Sequence, residues 1–226
     1  WQLMSQRRNL DVLMKYRNDK RYLGLSNMID KDNKSIYGLE FSYETIPNEL
    51  NLFDYDAFKQ YKGDFYCVVT NLLTGQPEYM KYTGDDRTNT VLKATCALPM
   101  LFPPIIINDV PYMDGGLSDS IPYLKAIEDG CDRIIVVLTR QSGYTKTTSR
   151  STKAIAYSYR NQYPKLTETM LTRASRYNES LKGLDQYVKE GRIITIQPTT
   201  SKGFSRLEKD KNKILSMYND GSNQCY

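Results

Sequence analysis

Apolar residues occur along this chain in two patterns, short continuous runs and stripes spaced by three or four positions. The continuous runs predict buried strands at residues 65–70, 105–107, 110–113, 133–138 and 192–197, with a further short strand near Tyr79. The clearest stripe predicts a long helix and consists of Leu166, Met170, Ala174, Tyr177, Leu181, Leu184 and Val188, followed by Gly191 as its stop signal. Further helices are predicted up to about residue 20, from about residue 85 to Pro99, over 122–128, and around Phe204, Leu207, Ile214, Leu215 and Tyr218.

Helices that alternate with continuous apolar strands predict an α/β fold with a mainly parallel sheet and crossover helices. The segment that follows the first predicted helix, from about residue 20 to about residue 51, is predicted to be rich in loops. A polar segment without periodicity at 141–153 predicts a loop or boundary between a core at 1–140 and a helix–strand–helix extension at 154–226.

Composition narrows the range of functions. The 226 residues suffice for one sizeable core, and no apolar run is long enough to span a bilayer. The net charge is +5, and its densest basic segment, 202–213, is interpreted as a solvated helix face, with attraction to an anionic lipid surface as the alternative. No basic stripe interleaves with aromatic residues, which argues against nucleic acid binding. No signal peptide opens the chain, whose first residue is Trp1.

Histidine is absent from the chain, so Ser-His-Asp and Cys-His catalytic arrangements and histidine-ligated metal sites are excluded within it. Proton transfer must therefore use carboxylates, lysine, tyrosine or water. The cysteines Cys67, Cys96, Cys131 and Cys225 form no Cys-x-x-Cys motif, so neither a zinc site nor a redox motif is expected. They are predicted to be reduced core residues of a cytosolic protein.

The segment 94–123 is the most informative for chemistry, because it places Asp114 before two glycines. Residues 105–107 and 110–113 are predicted as strands joined by a tight turn, so that Asp114 lies at a strand end. Gly115 and Gly116 are expected to allow positive φ and close approach to another chain or a ligand. An apolar, proline-rich approach at 96–104 is expected to be buried and to desolvate the carboxylate, which makes it a stronger base. On its own, Asp-Gly-Gly is also typical of a solvent-exposed turn.

The ordered motifs DFYCVVTNLLTGQPEYM, ATCALPMLFPP, YMDGG and SDSIPY resemble those of the bacterial patatin-like phospholipases. The sequence from Tyr177 onward resembles the C-terminal extension of one bacterial branch, so the resemblance covers about residues 7–221. It implies an α/β-hydrolase-related sheet, a Ser-Asp dyad, a lipid or acyl-ester substrate and no cofactor. By position Asp114 takes the role of the family's base, with Gly115 and Gly116 as supporting motif residues. A cytoplasmic protein, with peripheral contact to membranes as a further option, is expected.

The sequence departs from the family pattern at the nucleophile. Neither a Gly-x-Ser-x-Gly elbow nor a glycine-rich oxyanion loop occurs in these residues. Ser26 follows a glycine at the right offset, but Met28 replaces the second glycine. Ser118 is a hydroxyl near the base that lies downstream of the motif. The favoured expectation is that the chain begins after the family's elbow, and that neither serine is the nucleophile.

Three hypotheses for the function remain at this stage. The favoured one is a serine lipid acyl hydrolase of which this chain supplies the base, so that the chain alone is inactive. The alternative is a non-catalytic lipid-binding or interaction module on a degenerate hydrolase core. Nucleotide binding on a doubly wound sheet is disfavoured, because no glycine-rich phosphate loop follows any predicted strand.

Overall fold

The computed structural model describes residues 10–29, 35–204, 208 and 210–224. The chain forms two compact units, each of which is discontinuous in sequence. Unit 1 comprises Trp1–Asp119 and Ser149–Leu171, and unit 2 comprises Ser120–Thr148 and Thr172–Tyr226. The three-part division at residues 140 and 154 stays a prediction.

A four-stranded sheet organises unit 1, and its strands occur where the apolar runs predict them. These strands are β1 (Tyr66–Asn71), β2 (Pro77–Lys81), β3 (Ile105–Ile107) and β4 (Val110–Asp114). Their spatial order is β2-β1-β4-β3, and every neighbouring pair is antiparallel. The α/β class is confirmed, but the expected mainly parallel pairing is wrong for these strands. Short turns join β1 to β2 and β3 to β4, and a short turn can only reverse the strand direction.

The helices are, in chain order, α1 (Asp11–Tyr16), α2 (Tyr55–Lys59), α3 (Thr90–Cys96), α4 (Tyr123–Glu128), α5 (Arg150–Ser158), α6 (Pro164–Lys189) and α7 (Lys211–Asn223). Short 3-10 turns lie at Leu25–Met28 and Gly115–Leu117. The long predicted helix is confirmed as α6, and its predicted stripe supplies buried positions to the cores of both units. The last predicted helix is confirmed as α7, although Leu207 lies outside the described residues and Leu215 and Tyr218 are exposed.

A π-helix at Phe41–Leu50 occupies part of the region that was predicted to be rich in loops. Pro47 lies inside it, and proline lacks the N–H that a regular α-helix requires. A π-helical turn is wider than an α-helical one, which relieves the clash between the proline ring and the carbonyl four residues before it. The prediction for this segment is therefore wrong.

Each unit has its own apolar core. In unit 1 the buried residues of the main cluster come from strands and helices that are far apart in sequence, and they are Leu72, Ala97, Met113, Leu117, Ala156, Leu166 and Met170. In unit 2 the corresponding cluster consists of Ile121, Tyr123, Val136, Tyr177, Leu184 and Ile193. The α6 stripe thus contributes its first turns to one core and its later turns to the other.

Unit 2 contains the one parallel pair among the described strands, β5 (Ile134–Val137) with β6 (Ile193–Ile196). The apolar run 133–138 was predicted to be a buried strand, but its residues alternate. Val136 is buried, while Ile135 and Val137 are 65% and 70% exposed. Successive side chains of a strand point to opposite faces, so only one face of this two-stranded sheet is covered within the unit.

Two polar groups in unit 1 have unusual surroundings. Arg17 is only 5% exposed, and within the described part of the chain its Nε and Nη1 have no hydrogen-bond partner. Asp86 lies just before α3 and accepts hydrogen bonds from the backbone N–H groups of Thr88 and Thr90. Burial alone would raise the pKa of Asp86, but the hydrogen bonds from both threonines lower it to about 2.

Candidate active site

Asp114 is the last residue of β4, and three structural segments fix its backbone. Its N–H donates to the carbonyl of Ala97 at 2.9 Å, just after α3. Its carbonyl accepts from the Thr70 Oγ1 of β1 at 2.8 Å, and it lies opposite Val69 in the β1–β4 pairing. The site is therefore built from β1, the end of α3 and β4. A side chain carried by such a backbone is held more precisely than one on a loop.

The carboxylate of Asp114 is held by the turn that follows it. Gly115–Leu117 forms a 3-10 turn, and Oδ1 of Asp114 accepts the N–H of Gly116 at 2.7 Å. This is the arrangement of a side chain that caps a helical turn, and it restricts both torsions of the aspartate. The side chain is half-buried. A half-buried, oriented carboxylate can accept a proton from a hydroxyl placed within hydrogen-bond distance.

The two glycines meet only part of the expectation. Neither has a positive φ, since both belong to the right-handed 3-10 turn. The expected close approach is present at Gly115, because a Cβ added there would lie 2.1 Å from the carbonyl oxygen of Val68. Only glycine lets this turn lie directly against β1. Gly115 is thus required by its packing against β1.

Sequence reasoning missed two hydroxyl contacts at this site. The Oγ1 of Thr70 lies 2.7 Å from the Oγ of Ser118 in addition to its bond with Asp114. The hydroxyl of Tyr79 donates to Oδ2 of Asp119 at 2.6 Å. A signal for the first contact was present, because a threonine inside a buried apolar strand needs a hydrogen-bond partner. Its partner lies 48 residues away in the sequence, so the signal does not identify it.

The Asp114 carboxylate interacts electrostatically with Tyr43 and with the Cys96 thiol. Burial raises the pKa of Tyr43 well above its usual range, and the neighbouring Cys96 thiol and Asp114 carboxylate contribute to the same shift. The expected burial of the whole approach at 96–104 is wrong, since Ala97 is buried but Met100 is 64% exposed. The proline-rich segment is therefore only partly buried.

Ser118 and Ser26, the two serines that the sequence analysis considered, lie in different turns of the structure. Ser118 immediately follows the turn of Asp114, and its Oγ lies 3.3 Å from the carbonyl of Gly115. Ser26 is an exposed residue of the 3-10 turn Leu25–Met28. This turn follows an extended Gly24 and is not the strand-to-helix turn of a nucleophile elbow.

The prediction that the cysteines are core residues holds only for Cys67, which is buried. Cys96 and Cys131 are exposed, because each lies at or just beyond a helix end. All three are free thiols in the described part of the chain, and Cys225 lies outside it.

Neither a metal-binding cluster nor a membrane-spanning helix occurs among the described residues. No three His, Cys, Asp or Glu side chains among the described residues come together as a metal-binding group. None of the helices described above combines the length and the apolar character that a membrane crossing requires.

Comparison with known protein families identifies the family to which the chain belongs. The model of the family described as patatin-like phospholipase matches residues 6–127, which is more than half of the 226-residue chain. A second model, described as a domain of unknown function (DUF6363), matches residues 163–226. No curated protein matches the chain at a significant level. The first match includes Asp114, Gly115 and Gly116 together with the sheet that holds them, and the chain belongs to the patatin-like phospholipase family of lipid acyl hydrolases.

Proposed function

We propose that the natural protein is a lipid acyl hydrolase with a Ser-Asp dyad, and that Asp114 is the general base of that dyad. The observation that carries this proposal is the fixed carboxylate at the end of β4. Its Oδ1 is bonded to the N–H of Gly116, while its backbone is bonded to Ala97 and Thr70. A general base must hold one orientation relative to the proton that it accepts, and these three bonds supply that constraint.

In the proposed reaction a serine hydroxyl gives its proton to the carboxylate of Asp114 while its oxygen attacks the ester carbonyl of the lipid. The tetrahedral intermediate then collapses with loss of the alcohol, which takes up the proton, and an acyl-enzyme remains. Water attacks the acyl-enzyme in a second, equivalent cycle that releases the fatty acid. Because the chain contains no histidine, a carboxylate base is compatible with its composition.

The nucleophile is proposed to lie outside these 226 residues. The chain has no Gly-x-Ser-x-Gly motif, Ser26 lies in an exposed 3-10 turn, and Ser118 is engaged with Thr70. A protein that combines this chain with a serine elbow should react with a fluorophosphonate probe, while the chain alone should not. Labelling of the chain that disappears in Ser118→Ala or Ser26→Ala would instead assign the nucleophile to one of these residues.

The role of Asp114 is tested by Asp114→Asn in the natural protein, with phospholipid hydrolysis as the assay. Removal of a general base lowers the rate by about 100- to 10,000-fold. Asp109→Asn is the matched control, because Asp109 is an exposed aspartate of the same hairpin whose φ of 63° asparagine readily adopts. Equal hydrolysis by Asp114→Asn and wild type would refute the proposal. Failure of the natural protein to label or hydrolyse would instead favour a non-catalytic lipid-binding module.

A further inference from the structure

The hydroxyl groups of Thr70 and Ser118 lie against the backbone of Asp114 and of the turn that follows it. Thr70 is completely buried on β1, and its Oγ1 lies 2.8 Å from the carbonyl oxygen of Asp114 and 2.7 Å from the Oγ of Ser118. The Oγ of Ser118 also lies 3.3 Å from the carbonyl oxygen of Gly115. The two hydroxyls therefore contact the carbonyl groups of two consecutive peptides, Asp114–Gly115 and Gly115–Gly116.

Proton counting assigns a direction to these contacts. A threonine hydroxyl has one proton, and that of Thr70 is donated to the carbonyl of Asp114. The short contact between the two hydroxyls then uses the proton of Ser118, which Thr70 shares with the more distant carbonyl of Gly115. A chain of hydrogen bonds that all point the same way strengthens each of its members. Ser118 thus acts on Asp114 through Thr70.

We propose that Thr70 and Ser118 are positioning residues for the Asp114 carboxylate. Thr70 holds the carbonyl of the Asp114–Gly115 peptide, and Ser118 lies against the carbonyl of the next peptide, Gly115–Gly116. The N–H of Gly116 belongs to this second peptide and holds Oδ1 of Asp114 at 2.7 Å. Loss of the Thr70 hydroxyl removes both the bond to the first carbonyl and the partner of Ser118, which loosens the two peptides and with them the bond that orients the carboxylate. The catalytic consequence of this role rests on the proposed function, but the geometric role does not.

The geometric role is tested on the 226-residue chain by amide hydrogen exchange. Thr70→Val keeps the shape and β-branching of the side chain but removes the hydroxyl. We expect the N–H of Gly116 to exchange about tenfold faster, in line with the loss of one buried hydrogen bond. Thr70→Ser keeps the hydroxyl and should restore slow exchange. The matched control is Thr167→Val, which removes a buried threonine hydroxyl that donates to the carbonyl of Ala156 at 2.9 Å and makes no hydrogen bond to the turn within the described part of the chain.

The catalytic consequence is measured in the natural protein with the same variants. Thr70→Val should lower kcat about 10- to 100-fold with little change in KM, as expected when a reacting group loses its alignment. Thr70→Ser and Thr167→Val should retain kcat. If Thr70→Val does not fold, Ser118→Ala provides the same test, with a smaller effect in the same direction.

The possible outcomes separate the positioning role from the proposed function. Unchanged exchange at Gly116 in both Thr70→Val and Ser118→Ala would overturn the positioning role. Faster exchange that Thr70→Ser reverses supports it, even if Asp114→Asn leaves hydrolysis intact and the proposed function fails. Faster exchange in the Thr167→Val control as well would show a general loss of stability and would also overturn the specific role.

Discussion

Replacement of Gly115 by alanine tests whether the glycine is required by packing. The added Cβ would lie 2.1 Å from the carbonyl oxygen and 2.7 Å from the Cβ of Val68, whereas ordinary contacts of a Cβ begin at 3.4 Å. The shortfall for the oxygen, 3.4 minus 2.1, is about 1.3 Å. Since the nearest atoms belong to the backbone of β1, either the strand or the turn has to move.

The free-energy change follows from the bonds at this position. Overpacking costs about 1–3 kcal/mol, and loss of the hydrogen bond from Thr95 Oγ1 to the Val68 carbonyl, 2.6 Å long, adds about 1 kcal/mol. Alanine also restricts the unfolded chain relative to glycine, which offsets about 0.4–1 kcal/mol. We expect Gly115→Ala to lower the free energy of unfolding by about 2–3 kcal/mol.

The assay is urea unfolding of the 226-residue chain, followed by circular dichroism and by amide exchange of β1 and β4, which reports on unit 1 alone. Gly221→Ala is the matched control, because Gly221 lies in α7 and an added Cβ meets no atom within 4 Å. This control should stabilise the chain by up to about 1 kcal/mol. A Gly115→Ala variant as stable as wild type would refute the packing argument.

Two further predictions concern charged groups in unit 1. Asp86→Asn should lower the free energy of unfolding by about 1 kcal/mol at pH 7, a figure reduced for solvent screening because Asp86 is exposed. The folded pKa of Asp86, about 2, lies below the unfolded value, so this stabilisation is complete above about pH 4 and is lost as the pH falls toward 2. Urea unfolding of wild type and Asp86→Asn at pH 7 and at pH 2.5 measures the difference in stability. The same difference at both pH values would contradict the prediction. Arg17→Met should raise the free energy of unfolding by about 1–3 kcal/mol, because it removes a buried guanidinium whose Nε and Nη1 have no hydrogen-bond partner among the described residues. A lower melting temperature for Arg17→Met would show that the guanidinium has a stabilising role.

Features with local causes could be predicted from the sequence. The β3–β4 hairpin is one example, because Asn108 and Asp109 adopt φ values of 50° and 63° in the tight turn that these residue types favour. The end of α4 is another, since Gly130 has a φ of 85° where the sequence predicts a helix stop. The position of Asp114 at a strand end follows from the same local patterns.

Features that depend on distant partners could not be predicted in this way. Strand direction in the four-stranded sheet depends on which strands meet, and the β1–β4 pairing joins residues more than 40 positions apart. The contact of Thr70 with Ser118 has the same non-local origin. The π-helix at Phe41–Leu50 could not be predicted for a different reason. It contains Pro47, and a proline is a signal against a regular α-helix.

The course of helix α6 has a consequence for how this protein can be shortened. The two family matches leave residues 128–162 between them, which suggests a natural place to cut. However, Leu166 and Met170 belong to the core of unit 1, although they lie within the second match. A truncated protein that ends before α6 would lose both side chains from that core, and removal of each large core side chain costs about 2–5 kcal/mol. The first matched segment therefore lacks part of the core of unit 1, and we expect its stability to depend on the opening turns of the helix that begins the second.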